Sequence, residues 1–166
     1  QCGQHVSALF PHIAQHVDDL CFLKGMHTEG VAHGPSTLFL HTGSINLIRP
    51  SFGSWMLYGL GSESQNLPGF VSLQPSMGNG GPRNYSNAFL PSAYQGTAIG
   101  RAGLPAEQAR IRNLSNKVLS ASDQREQFNL LRAINDEQLA DRPGDRELEA
   151  VIGSYELAWR MQQHAP

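Results

Sequence analysis

The side chains of this sequence best suited to handling an anion cluster in one stretch, residues 26–44, MHTEGVAHGPSTLFLHTGS. His33 stands immediately before Gly34-Pro35, and proline suits the first turn of a helix, where its missing N–H is no loss. The imidazole is therefore expected at a helix N-terminus, which free N–H groups and the macrodipole make attractive to a phosphate or sulfate ester. There it could be a metal ligand, a general acid for a leaving alkoxide, a nucleophile forming a phosphohistidine, or a structural cap. The positive end of the dipole favours the neutral ring, and so the ligand and nucleophile roles over the acid. His27 and Glu29 alternate along the chain, so an extended backbone would put both on one side as a ligand pair; in a solvated loop they would have no such role. Arg49, just before Pro50, has the fork of donors that clamps a sulfate or phosphate oxygen pair, or it simply meets solvent in a turn. His41 lies two helical turns beyond His33; it shares a face but not a metal ion with it, and reads as a core or capping histidine.

These groups need elements to hold them. Val6, Leu9, Phe10, Ile13, Val17 and Leu20 follow helical spacing, predicting an amphipathic helix, and the short apolar segment 20–26 (LCFLKGM) predicts a buried strand. Pro35 and Gly43 bracket a short helix over 37–41. Ser51 as N-cap and Gly61 as terminator bracket another over 52–60. Residues 70–73 (FVSL), introduced by Pro68, predict a second buried strand. The order of strand, loop, two helices and strand points to an α/β layer with a parallel sheet. Residues 75–103 hold no period, are rich in Gly, Pro, Ser and Asn, and carry Tyr85, Phe89 and Tyr94 as candidate anchors of an irregular excursion; 114–119 is ambiguous. Ser122 is expected to cap a helix over 123–140, Arg142-Pro143-Gly144 to break it, and 145–163 to return as a second amphipathic helix. Together the two form an antiparallel hairpin, which caps the fold or offers a groove to a partner. The chain is read as one partial domain: an α/β core over 1–74, the excursion over 75–119 and the hairpin over 120–166.

Composition limits the possible partners. A chain of 166 residues suits a single domain burying roughly 70% of its unfolded surface. Lys and Arg number 12 against 14 Asp and Glu, a net charge of -2, and no basic stripe marks a binder of nucleic-acid backbone. No apolar run reaches the roughly 18 residues that a membrane-spanning helix needs. Cys2 and Cys21 are isolated thiols without zinc or disulfide-framework spacing. The sequence opens on Gln1 inside a patterned segment, without a visible signal peptide, and reads as a piece of something longer.

The segment HGPSTLFLHTG can also be laid without gaps on the sulfatase signature, in which a Cys (matured to formylglycine) or Ser is followed by x-P-S-R and then L-T-G. Pro35, Ser36, Thr42 and Gly43 match it, His33 falls on the nucleophile position and Thr37 on that of the supporting Arg. The order LFPHIAQHVDDLCFLKGMHTEG, H-x-P, TGS and RPSFGSWMLYGLGSESQNLPGFVSL resembles a bacterial family of unknown function within the alkaline phosphatase and sulfatase superfamily. The likeness runs over 6–73, continues loosely through 87–99 and returns in ELAWRMQ near the end.

That resemblance implies a partial alkaline-phosphatase-like α/β sandwich with parallel strands, export to the periplasm or beyond, and hydrolysis of a small-molecule or polysaccharide sulfate or phosphate ester. It implies a divalent metal such as calcium or zinc. His33, His27 and Glu29 are its candidate ligands here, and the remaining ligands lie outside this chain. Ser36 and Arg49 are the candidate substrate-binding residues. Members of that family usually look like N-H-x-P-A, whereas this chain has Ala32-His33-Gly34-Pro35-Ser36. The histidine rules out catalysis by a formylglycine or alkoxide at that position. The alternative is a non-catalytic module of the same fold that binds sulfated or phosphorylated polymers. A third reading is a structural interaction domain built on the terminal helices.

Overall fold

The computed structural model describes residue 3 and residues 5–111 and 114–164. It is a mixed α/β structure with four α-helices, α1 (His33–Thr42), α2 (Phe52–Leu60), α3 (Ala121–Asp141) and α4 (Arg146–His164), and a two-stranded sheet of β1 (Val71–Leu73) and β2 (Thr97–Ile99).

The two middle helices form where their brackets lie. α1 begins at His33, after Ala32 in an extended conformation, and ends where Gly43 turns left-handed (φ 68°) and donates its N–H to the Phe39 carbonyl. It fills the bracket, with Pro35 in its first turn and Gly43 just past its end, as the sequence predicts. Ser51 caps α2 by accepting from the Ser54 N–H, and Gly61 closes it with its N–H on the Leu57 carbonyl. This cap is also a tertiary joint. Ser51 N–H (2.9 Å) and Ser54 Oγ (3.0 Å) both donate to the Ser86 carbonyl, and the two serine hydroxyls meet at 3.0 Å. Ser51 and Ser54 are the most deeply buried polar residues described, and their mutual bonding offsets the cost of removing them from water.

β1 falls where the sequence predicts it and pairs in parallel with β2, Val71 opposite Thr97 and Leu73 opposite Ile99. β2 lies inside the stretch expected to be irregular, and the Phe70 carbonyl accepts from Thr97 N–H (2.9 Å) while Gln74 N–H donates to Ile99 (2.8 Å), framing the ladder. Gly53 lets α2 approach the Phe70 side chain that precedes β1, since a Cβ there would stand 2.3 Å from the Phe70 ring.

The N-terminal segment differs from the reading. Instead of one helix over 6–20, a 3₁₀ helix runs over Ile13–Asp19, broken at His16 and burying no residue. The segment 20–26 is not a strand either; it joins no sheet and leaves Leu23 and Met26 exposed. The physical reason is shared: an apolar stripe becomes a helix or strand when something packs against it or pairs with it, and the described residues provide neither. Residues 114–119 carry no helix or strand.

The hairpin forms as expected, with one shift at its start. Ser120, not Ser122, is the N-cap, accepting from Asp123 N–H at 3.2 Å. Phe128 meets the Trp159 ring edge-on at 5.7 Å. The Arg125 guanidinium lies 5.5 Å over the same indole and pairs with Glu156 at 3.3 Å. α4 then packs against the 3₁₀ turn Ser92–Tyr94, and Arg160 Nε donates to the Gln65 carbonyl (2.7 Å), tying the hairpin to the sheet-bearing part. Leu38, Leu90 and Met161 are the buried apolar residues of a thin core. Among the described residues no helix is long and apolar enough to cross a membrane.

Candidate functional site

The first turn of α1 is the centre of the site. Its N-cap residue, Ala32, offers no side-chain acceptor, so the amides of His33 and Gly34 are among the groups that a helix start leaves without intrahelical partners. His33 is the first residue of α1 and its imidazole is exposed, where the Gly-Pro signal predicts it.

Ser36 fastens the preceding loop to this turn. Its hydroxyl donates to the Gly30 carbonyl at 2.6 Å, and Thr28 Oγ1 accepts from Gly30 N–H at 3.0 Å. The approach is so close that a Cβ on Gly30 would stand 2.6 Å from Ser36 N. Ser36 thus holds the entry to α1 in place, and its proton is already committed to the chain.

Two clefts flank the turn. One, of about 260 Å³, is lined by Met26, His27, Thr28, Ser36, Phe39 and Leu40, and so brings together two of the predicted residues, His27 and Ser36. The other, of about 410 Å³, has Gly34, Pro35 and Leu38 on the α1 side and a glycine-rich loop ending in Arg83 opposite. That loop, GNGGPR over 78–83, leads into a 3₁₀ turn, Gly81–Tyr85, that packs against α1. Gly80 and Gly81 are both left-handed (φ 82° and 54°), a conformation that side chains resist. Gly80 has a second reason to be glycine, because its Cβ would fall 2.3 Å from Asn84 Oδ1. Asn84, itself buried, donates its side-chain amide to the Asn79 carbonyl at 2.7 Å and so braces the loop.

Arg83 is the residue that reading the sequence missed. Nothing local marks it, since it lies about fifty residues from His33 and meets α1 only through the fold. Arg49, the guanidinium chosen instead, is exposed and lines neither cleft. Glu29 is likewise exposed and outside both.

Among the described residues no three His, Cys, Asp or Glu side chains gather closely enough to hold an ion, so His27, Glu29 and His33 do not form a ligand set together. Cys21 is a free, exposed thiol, and Cys2 lies outside the described residues. His41, in the last turn of α1 and half-buried, has its pKa lowered by desolvation; it is a packed histidine, as its spacing from His33 suggests.

No curated protein and no solved structure matches this chain. One family model matches residues 1–166, and by that match the chain belongs to the family described as protein of unknown function (DUF1501).

Proposed function

We propose that this chain binds the anionic group of a sulfate or phosphate ester, carried on a sulfated or phosphorylated polymer, in the cleft between the first turn of α1 and the glycine-rich loop. The observation that carries the reading is the cleft itself, with the uncapped start of α1 on one wall and Arg83 on the other. An anion there meets amide dipoles, the positive end of a helix and a guanidinium that can bond two oxygens at once. Glycine at 80 and 81 lets backbone come close to the ligand.

A hydrolytic reading is favoured by one observation: His33, with its exposed ring, directly precedes Gly34 in the cleft wall. In that reading the protein is an exported, metal-dependent sulfate or phosphate ester hydrolase with an alkaline-phosphatase-like sandwich. There the His33 imidazole would attack phosphorus and displace the alkoxide, which takes its proton from water. Binding is the reading we adopt, carried by the cleft and Arg83, and no step is routed through a metal.

Calorimetric titration with inorganic phosphate and with a sulfated oligosaccharide tests it. Replacing Arg83 by Ala is expected to weaken binding roughly tenfold, the loss of one charge-assisted hydrogen bond, while Arg49→Ala leaves it unchanged. Equal affinities for the Arg83→Ala variant and the parent chain would overturn the proposal. Hydrolysis of an aryl phosphate or sulfate that disappears in His33→Ala would shift the choice to the hydrolytic reading.

A further inference from the structure

The glycine-rich loop opposite α1 has a reactivity of its own. Of the asparagines in the chain, Asn79 alone is followed by glycine. The side-chain amide of an asparagine can be attacked by the backbone nitrogen of the next residue, and a side chain on that residue is what usually obstructs the approach. Gly80 offers no such obstruction: it has no Cβ and sits left-handed (φ 82°) in the wall of the anion cleft.

The surroundings leave the Asn79 amide free to react. The residue is exposed, and its side chain makes no hydrogen bond among the described residues. Only its main chain is engaged, the N–H donating to Ser76 Oγ at 3.0 Å and the carbonyl accepting from the Asn84 side-chain amide at 2.7 Å. Gly80 N–H donates to the Gly78 carbonyl at 3.1 Å, a contact inside the loop and not part of a helix or strand ladder, so a local rearrangement releases the nitrogen. Other asparagines differ. Asn46 is also exposed but precedes Leu47, Asn84 is buried and precedes Tyr85, and Asn116 commits its Oδ1 to the amides of Val118 and Leu119.

We propose that Asn79 is a site of spontaneous deamidation, and that its isoaspartyl product releases the brace on the glycine-rich wall of the cleft. The Gly80 nitrogen gives up its proton to solvent and bonds to Cγ of Asn79. The Cγ–Nδ2 bond breaks, Nδ2 takes up a proton and leaves as ammonia, and a five-membered succinimide remains. Water then supplies a hydroxyl to one ring carbonyl and a proton to the Gly80 nitrogen. Opening at Cγ gives aspartate in an ordinary chain; opening at the α-carbonyl carbon gives isoaspartate, whose main chain runs through Cβ and Cγ. No electrons are exchanged: an amide and water become a carboxylate and ammonium. In isoaspartate the carbonyl that Asn84 holds is no longer a link in the chain but part of a free carboxylate, and the path to Gly80 is one methylene longer. Gly80 sits so close to Asn84 that a Cβ would stand 2.3 Å from Oδ1, a fit that the extra length disturbs. Either product also places a negative charge between Gly78 and Gly80, both in the cleft wall, where it repels an anion.

The purified chain is aged in neutral buffer and its asparagine peptides are followed by mass spectrometry, with fragmentation that separates aspartate from isoaspartate. Asn79 should convert roughly tenfold or more faster than Asn46, a barrier lower by about 1.4 kcal/mol, and give isoaspartate. Conversion no faster than at Asn46 would overturn the proposal. Hydrogen exchange of the isoaspartyl fraction reads the brace: amides over 80–85 should exchange roughly tenfold faster than in fresh chain, and unchanged exchange contradicts a released loop. Asn79→Gln, which would have to close a six-membered ring, should age without any change over 80–85; the same loosening there would assign the effect to another residue. The consequence for binding rests on the anion-binding reading of the cleft. Fresh chain should bind inorganic phosphate about threefold more tightly than the isoaspartyl fraction, the cost of a like charge nearby, and equal binding contradicts the proposal. A fresh chain that binds no phosphate contradicts the reading of the cleft instead, and leaves the conversion of Asn79 to be judged by mass and exchange alone.

Discussion

At the scale of single residues, the site rests on side chains of unlike visibility. His33 is legible because Gly34-Pro35 announces a helix start, and the structure begins α1 at that histidine. Ser36 is legible as part of a motif but not in its task, since the bond to the Gly30 carbonyl depends on how the 28–30 loop folds back. Removing that hydroxyl in Ser36→Ala leaves a carbonyl short of a partner and is expected to lower stability by about 1 kcal/mol, read as a shift in the denaturant midpoint with an unchanged slope. Arg83 is hidden, because its relevance exists only once the loop at 78–83 has packed against α1. Gly80 answers to the same packing. Gly80→Ala combines a left-handed φ with a clash on Asn84 Oδ1, and a loss of roughly 2 kcal/mol in chemical denaturation is expected. A neutral result would mean that the loop is not braced as described.

At the scale of elements, what could be read was what carries its own local signals. α2 is bounded by a serine cap and a terminating glycine, and both are visible without any tertiary knowledge. Ser51→Ala should nevertheless cost more than a surface cap, about 2 kcal/mol, because the hydroxyl is buried against Ser54; an equally large effect from Ser54→Ala would show the joint acting as a unit. β2 was illegible for the opposite reason. Three residues, TAI, in a Gly- and Pro-rich context have no period of their own, and they become a strand only because β1 offers an edge. The segments 6–20 and 20–26 fail conversely, since their apolar patterns are clear but nothing described packs on them. On α1, burial holds the pKa of His41 below its ordinary value, so the folded chain resists protonating it. The unfolded chain binds that proton more readily, and stability should fall as pH drops from about 7 through the usual histidine range to about 5. His41→Leu should flatten that part of the melting-temperature profile; an unchanged slope would assign the acid sensitivity elsewhere.

For the whole molecule, composition told more about what the chain does not do than about how it is arranged. The small net charge argues against a binder of nucleic-acid backbone. The order of elements predicts a parallel sheet between 20–26 and 70–73; the sheet that forms is parallel, but the partner of β1 is β2 and not 20–26. The thinness of the core could not be read from a sequence that is 40% hydrophobic, because that figure counts apolar residues without saying what they face. Sequence signal and fold converge in the cleft between α1 and the glycine-rich loop. Its most direct test is an amide-resolved NMR titration with inorganic phosphate. Saturable shifts at the amides of His33, Gly34 and Gly81, lost in Arg83→Ala, are the predicted result. Shifts that miss these amides, or that persist without Arg83, would contradict the claim.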